Sequence, residues 1–140
     1  MSLIFDWVKV PVQTGAHEEI LDITSQVQEA VQTMGLWGGV VLLFCPHTTA
    51  ALTVNEAADP DVRADVGAAL AKLVPDVPFR HAEGNSPAHV RAAFLGPSLV
   101  LSVEEGKLVL GTWQGVYFCE FDGPRRRQVW IYALALTARE

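Results

Sequence analysis

The chain is short of basic residues, with 10 Lys and Arg against 16 Asp and Glu and a formal net charge of -6. Proteins that bind a nucleic-acid duplex present a basic face to its phosphates, so this balance argues against nucleic acid as a partner. Arg125-Arg126-Arg127 is the one locally basic stretch. Long hydrophobic segments are missing too: apolar runs such as Val40 to Cys45 are far too short to span a bilayer, and no membrane is expected. The segment Met1 to Trp7 lacks the basic start and long apolar stretch of a signal peptide, so the expected location is the cytoplasm. Cysteine is scarce. Cys45 and Cys119 both fall inside apolar, strand-like runs, which points to buried reduced thiols rather than a disulfide or a nucleophile. What is present is globular in composition, 50% hydrophobic and 19% charged. A chain of 140 residues is expected to form a single domain over 1–140, burying roughly 70% of its unfolded surface.

Hydrophobic periodicity divides the chain into strands and three helices. Residues 4–13 alternate, with Val8, Val10 and Val12 on one face, and Ile20 to Ile23 reads as a second short strand. After Thr24 as N-cap, Val27, Ala30, Val31 and Met34 recur at helical spacing, and Gly35 supplies the stop. Val40 to Cys45 is continuously apolar, which predicts a strand buried on both faces. Pro46 breaks it before Thr48 to Val54 continues as strand. Asp59-Pro60-Asp61 opens a second helix whose core stripe is Val62, Val66, Ala69, Leu70 and Leu73. Pro75 to Ser86 reads as an ordered loop. Ser86-Pro87 then starts a helix to about Leu95 with Val90 and Phe94 as core positions. Leu99 to Val103, Leu108 to Leu110, Gln114 to Phe121 and Gln128 to Thr137 are strand-like. This run of strands after the last helix predicts an α+β fold, a β-rich, sandwich-like domain with inserted helices.

Polar chemistry is concentrated in few places. Of the four histidines, His17 lies in a polar segment and reads as surface. His47 sits at the Pro46 break, so its ring either emerges at a sheet end or is hydrogen-bonded within the core. In His81-Ala82-Glu83-Gly84-Asn85-Ser86-Pro87-Ala88-His89, an extended start puts His81 and Glu83 on one side, and the following helix returns His89 on its first turn. Asn85-Ser86-Pro87 is a helix N-cap, and free N–H groups at such a terminus can also hold a phosphate. The histidine spacing matches no zinc framework of fixed short spacing. On the strand from Gln114, period two places Gln114, Glu120 and Asp122 in line. A carboxylate inside a β-core needs an arginine, a histidine or a metal, so Glu120 is either part of a site or an ion-pair partner of Arg125 or Arg127. Those arginines form either a solvated turn or a guanidinium clamp for phosphate. Glu56, with Asn55, ends the strand that begins beside His47, which places it toward the same cavity.

Four motifs together resemble a known family: Pro46-His47-Thr48-Thr49 through Asn55-Glu56; His81-x-Glu83-Gly84-Asn85-Ser86-x-Ala88-His89; Gly111-Thr112-Trp113-Gln114-Gly115; and Glu120-Phe121-Asp122-Gly123-Pro124-Arg125. In this order they are similar to YjbQ-type proteins, also described as secondary thiamine-phosphate synthase-like. The resemblance covers nearly the whole chain. It implies an α+β fold assembled as a homotrimer, with a histidine-lined metal site near a subunit interface. It also implies a weak, secondary ability to join the pyrimidine diphosphate and thiazole phosphate halves of thiamine. The expected function is therefore a metal-dependent, transferase-like enzyme acting on a phosphorylated small molecule. On this reading Glu120, Asp122, His81 and Glu83 are catalytic, and Thr48, Asn55, Glu56, Asn85, Ser86, Trp113, Gln114 and Arg125 bind substrate. His47, His81 and His89 would hold a divalent ion, zinc or magnesium. The alternative is a non-catalytic metal or small-molecule binding module. Trp37, Trp113 and Trp130, set among apolar runs, add aromatic surface that favours an interface.

Overall fold

A computed structural model describes residues 2–74 and 77–137, so the start of the expected loop, Pro75-Asp76, lies outside the described residues. In chain order the elements are β1 (Ser2–Gln13), β2 (Glu19–Asp22), α1 (Thr24–Thr33), β3 (Gly39–Phe44), β4 (Ala50–Glu56), α2 (Pro60–Leu73), α3 (Ser86–Leu95), β5 (Ser98–Glu104), β6 (Lys107–Leu108), β7 (Gln114–Glu120) and β8 (Arg126–Thr137). They form two antiparallel sheets, one ordered β1-β8-β3-β5-β6 and one ordered β2-β7-β4. The fold is α+β, as the run of late strands requires.

The main core lies between the sheets. Val41 and Leu43 of β3 and Val129 and Ile131 of β8 meet Leu52, Val116 and Phe118 of the smaller sheet, and Val27 and Val31 of α1 join them. The other face of the smaller sheet, through Ala51, Tyr117 and Cys119, is covered by Leu70 of α2 and Ala88 of α3. β7 is thus buried on both faces, which is why Val116 to Cys119 reads as an unbroken apolar run. Both cysteines are free and buried, and burial pushes the Cys119 thiol up to about 12.

Several expectations are corrected by packing. Thr24 is the first residue of α1 rather than its cap. Its hydroxyl donates to Asp22 at 2.6 Å and accepts the Val116 N–H at 2.8 Å, tying the helix to β7. On α2 the cap is as expected, Asp59 accepting the Asp61 N–H at 2.9 Å, but Ala69 and Leu73 are exposed because the helix meets the sheet through Val66 and Leu70. On α3, Phe94 is 62% exposed. The inward face is Ala88, Ala92 and Leu95, spaced by four and three residues, and its two alanines allow a close approach to the sheet.

β3 is buried on one face only. Its Leu42 lies in a cross-strand row with Trp7, Tyr132 and Val100 on the outside of the larger sheet. Trp7 is 49% and Val100 69% exposed. In the next row Phe44 packs against Trp130 with the rings tilted by 43° and 5.9 Å apart, and Lys9 lies 4.8 Å over the Trp130 ring.

Candidate functional site

Three chain segments meet at one end of the two sheets. Pro46 to Thr49 crosses from β3 in the larger sheet to β4 in the smaller. The turn Asp122-Gly123-Pro124-Arg125 crosses back from β7 to β8. The segment from His81 into α3 closes the third side. Between them lies a cleft of about 460 Å³ lined by Pro46, His47, Thr48, Thr49, His81, Glu83, Asn85, His89, Asp122, Arg125 and Arg127. The turn has room for no side chain at Gly123, where a Cβ would collide with the Ala16 carbonyl and come within 2.8 Å of Glu120 Cγ.

Behind the cleft Glu120, 0% exposed, pairs with Arg127. Its Oε1 accepts from Arg127 Nε at 2.8 Å and from the Thr14 hydroxyl at 2.7 Å; its Oε2 accepts from Arg127 Nη2 and from the Asp122 N–H. Arg127 Nη2 also donates to Thr49 Oγ1 at 2.8 Å. Of the two arginines weighed for Glu120, Arg127 is its partner. Burial by itself would raise the Glu120 carboxyl, but the bonds from Arg127, Thr14 and the Asp122 amide outweigh it and hold the group below its usual range.

Arg125 pairs instead with Asp122, donating from Nη2 to its carboxylate at 2.9 Å and from Nε to its carbonyl at 2.7 Å. Asn85 Nδ2 donates to the same carboxylate at 3.1 Å, so this side chain reaches across the cleft rather than capping α3. The Asn85 bond first, and then the Arg125 bond and charge, hold Asp122 below the usual carboxylate range against the opposing effect of burial. His81 and His89 lie edge to face with ring centres 5.7 Å apart, and His81 Nε2 is 3.7 Å from Glu83. His47 stands edge-on to Phe118, and its Nε2 accepts the Gln128 N–H at 2.9 Å. Burial, then the Arg127 charge, keep its pKa below the ordinary histidine value.

Most of the expected residues gather here, and some do not. Asn55, Glu56, Trp113 and Gln114 sit at the other end of the smaller sheet, where Glu56 pairs with Gln114 while Ala50 pairs with Glu120. An extended seven-residue strand spans roughly 20 Å, so β4 carries Glu56 away from His47 rather than into its cavity. Ser86 begins α3 outside the lining. His17, read as a surface residue, stands at the rim with Nδ1 3.9 Å from Asp122, and its carbonyl accepts the Gly123 N–H. Register explains this: Glu19 pairs with Glu120, which brings His17 alongside Asp122.

Among the described residues no three His, Cys, Asp or Glu side chains converge closely enough to hold a metal ion. The expected set of His47, His81 and His89 therefore does not fit zinc or magnesium as a three-ligand site in this chain, and Nε2 of His47 is already taken. No described helix is long and apolar enough to cross a membrane.

Comparison with known proteins agrees with the motif order. The family described as UPF0047 protein YjbQ-like matches residues 8–135. UPF0047 protein YugU of Bacillus subtilis is 46% identical over 122 residues, 86% of this chain and 92% of that protein. A solved structure of an uncharacterized conserved protein of the YjbQ/UPF0047 family from Clostridium acetobutylicum is 46% identical, has a TM-score of 0.85, and covers 90% of this chain and 98% of its own. A YbjQ-like protein of unknown function from Sulfolobus solfataricus is 34% identical, with a TM-score of 0.89 over 96% of this chain and 100% of its own. With this match over nearly its whole length, the chain belongs to the UPF0047 family of YjbQ-like proteins.

Proposed function

We propose that the cleft binds a phosphorylated small molecule and transfers protons on it, with formation of thiamine phosphate from a pyrimidine diphosphate and a thiazole phosphate as the specific reaction. The observation that carries this reading is the meeting of Arg125, His81, His89 and Asn85 in one open cleft at the start of a helix. Departure of pyrophosphate needs its charge neutralised, which the arginines supply, while His81, His89 and Glu83 are accessible groups able to move a proton. Glu120 and Asp122 are each engaged by an arginine. They act here by holding those arginines rather than as acid or base. Zinc or magnesium would need ligands beyond this set, and elemental analysis of protein purified without chelator tests for it. Purified protein given both halves is expected to form thiamine phosphate, with His81→Asn much slower. If no product forms above background while phosphate still binds, the non-catalytic module replaces the enzyme. The engagement of both carboxylates is what favours that second reading.

The same proposal includes a homotrimer. The exposed Trp7, Leu42 and Val100 on the outside of the larger sheet are apolar surface of the kind that marks an interface. Light scattering at micromolar concentration is expected to give three times the 15.2 kDa chain mass; a monomer would contradict it.

A further inference from the structure

We propose that Arg127 and His47 form a preformed oxyanion pocket in the rear wall of the cleft, with Glu120 as the positioning residue that aims the guanidinium. This rests on the reading of the cleft as a phosphate site and adds which atoms receive the anion.

The Arg127 side chain is 5% exposed, and its bonds to Glu120 and Thr49 use Nε and Nη2. A guanidinium is planar and its donors are fixed in a fork, so holding two nitrogens aims the third. Nη1 makes no hydrogen bond with the described residues, yet it is not sealed from solvent, and Arg127 lines the cleft. Its N–H groups therefore open onto the cleft.

His47 adds a second donor by a separate argument. Its Nε2 faces the main-chain N–H of Gln128 at 2.9 Å. An amide N–H only donates, so Nε2 must carry the lone pair, and the neutral ring holds its proton on Nδ1. Nδ1 has no partner among the described residues, is not sealed, and belongs to a side chain that lines the same cleft. The ring is thus a hydrogen-bond donor without being charged. Two directed donors beside Thr48 and Thr49 suit an oxygen of a phosphate group, whether free phosphate or a diphosphate ester. Because Glu120 offsets the Arg127 charge, recognition depends on direction more than on net charge.

The test uses the full-length protein with inorganic phosphate and inorganic pyrophosphate as probes. Nitrogen-15 spectra of the histidine rings at neutral pH are expected to show His47 protonated on Nδ1, with that resonance shifting as either probe is added. By calorimetry, Arg127→Lys and His47→Phe should each weaken pyrophosphate binding at least about tenfold, the scale of one charge-assisted hydrogen bond. Arg126→Ala, an exposed neighbour on β8, should change nothing. Glu120→Asp, which keeps the charge, should retain affinity that Glu120→Gln loses, as a positioning role requires. If Arg127→Lys fails to fold, the ring spectrum and His47→Phe decide alone. His47 protonated on Nε2, or unchanged affinity in His47→Phe, overturns the pocket. Binding without synthase activity removes the enzymatic reading and leaves the pocket standing; turnover that survives His47→Phe with unchanged pyrophosphate affinity does the reverse.

Discussion

Replacing Glu120 by Gln is expected to destabilise the fold by about 3–5 kcal/mol, because it leaves the buried Arg127 guanidinium without its counter-charge. At this chain length the loss should lower the thermal midpoint by roughly 10–20 °C. Few single changes at the surface approach that size. Glu56→Gln, at the half-buried end of β4, keeps an oxygen to accept the Asp59 N–H and should stay within about 0.5 kcal/mol of the parent. The pH dependence follows from the direction of the shift. The Glu120 carboxyl is held below its usual range when folded, so across that interval the folded chain binds fewer protons than the unfolded one. Its contribution is complete above the unfolded value, about 4.3, and is lost as pH falls further through the folded value. Asp122, shifted the same way, adds to this acid limb. Glu120→Gln should therefore flatten it. Equal stability of parent and variant in denaturant titrations from pH 7 to pH 3 would show that the pair contributes nothing.

The second large effect is on turnover. His81→Asn should slow thiamine phosphate formation by roughly 100-fold or more, the usual scale for one general acid–base group, without a comparable loss of stability. The His81 side chain is 42% exposed and faces Glu83 and His89 rather than the core. His89→Asn should behave similarly. Arg125→Ala should mainly raise KM, since a clamp acting equally on ground and transition states gives uniform binding. Steady-state kinetics on folded variants separate these outcomes, and identical kcat in parent and His81→Asn would remove His81 from the chemistry.

The contrast between these two variants shows what could be read without the structure. Hydrophobic period places β7 and its Glu120, with Asp122 just beyond it, because a strand buried on both faces leaves an apolar run in which a carboxylate stands out. The histidine-containing segment is legible because Pro87 fixes a helix start and thereby the return of His89. Three-dimensional register is not legible. Whether Glu120 pairs with Arg125 or Arg127 depends on how the Gly123 turn packs against Thr14 and Ala16, residues more than a hundred positions away. The same blindness misplaced Glu56, because Pro46 hides where one strand ends and β4 begins its run away from the cleft. His17 is on the surface as expected, but its approach to Asp122 is hidden because it depends on the β2–β7 pairing. Phe94 failed for another reason: period alone gives a helical stripe, and the choice of face falls to the small residues Ala88 and Ala92.

On the proposed function, a phosphorylated ligand sits in the cleft between Pro46, His81 and Arg125. A crystal soaked with pyrophosphate tests it most directly. Density is expected within hydrogen-bond distance of Arg125 and of His81 or His89, against the wall formed by His47 and Thr49. Density only at the opposite end of the smaller sheet, beside Glu56 and Gln114, or an empty cleft at saturating pyrophosphate, would contradict it.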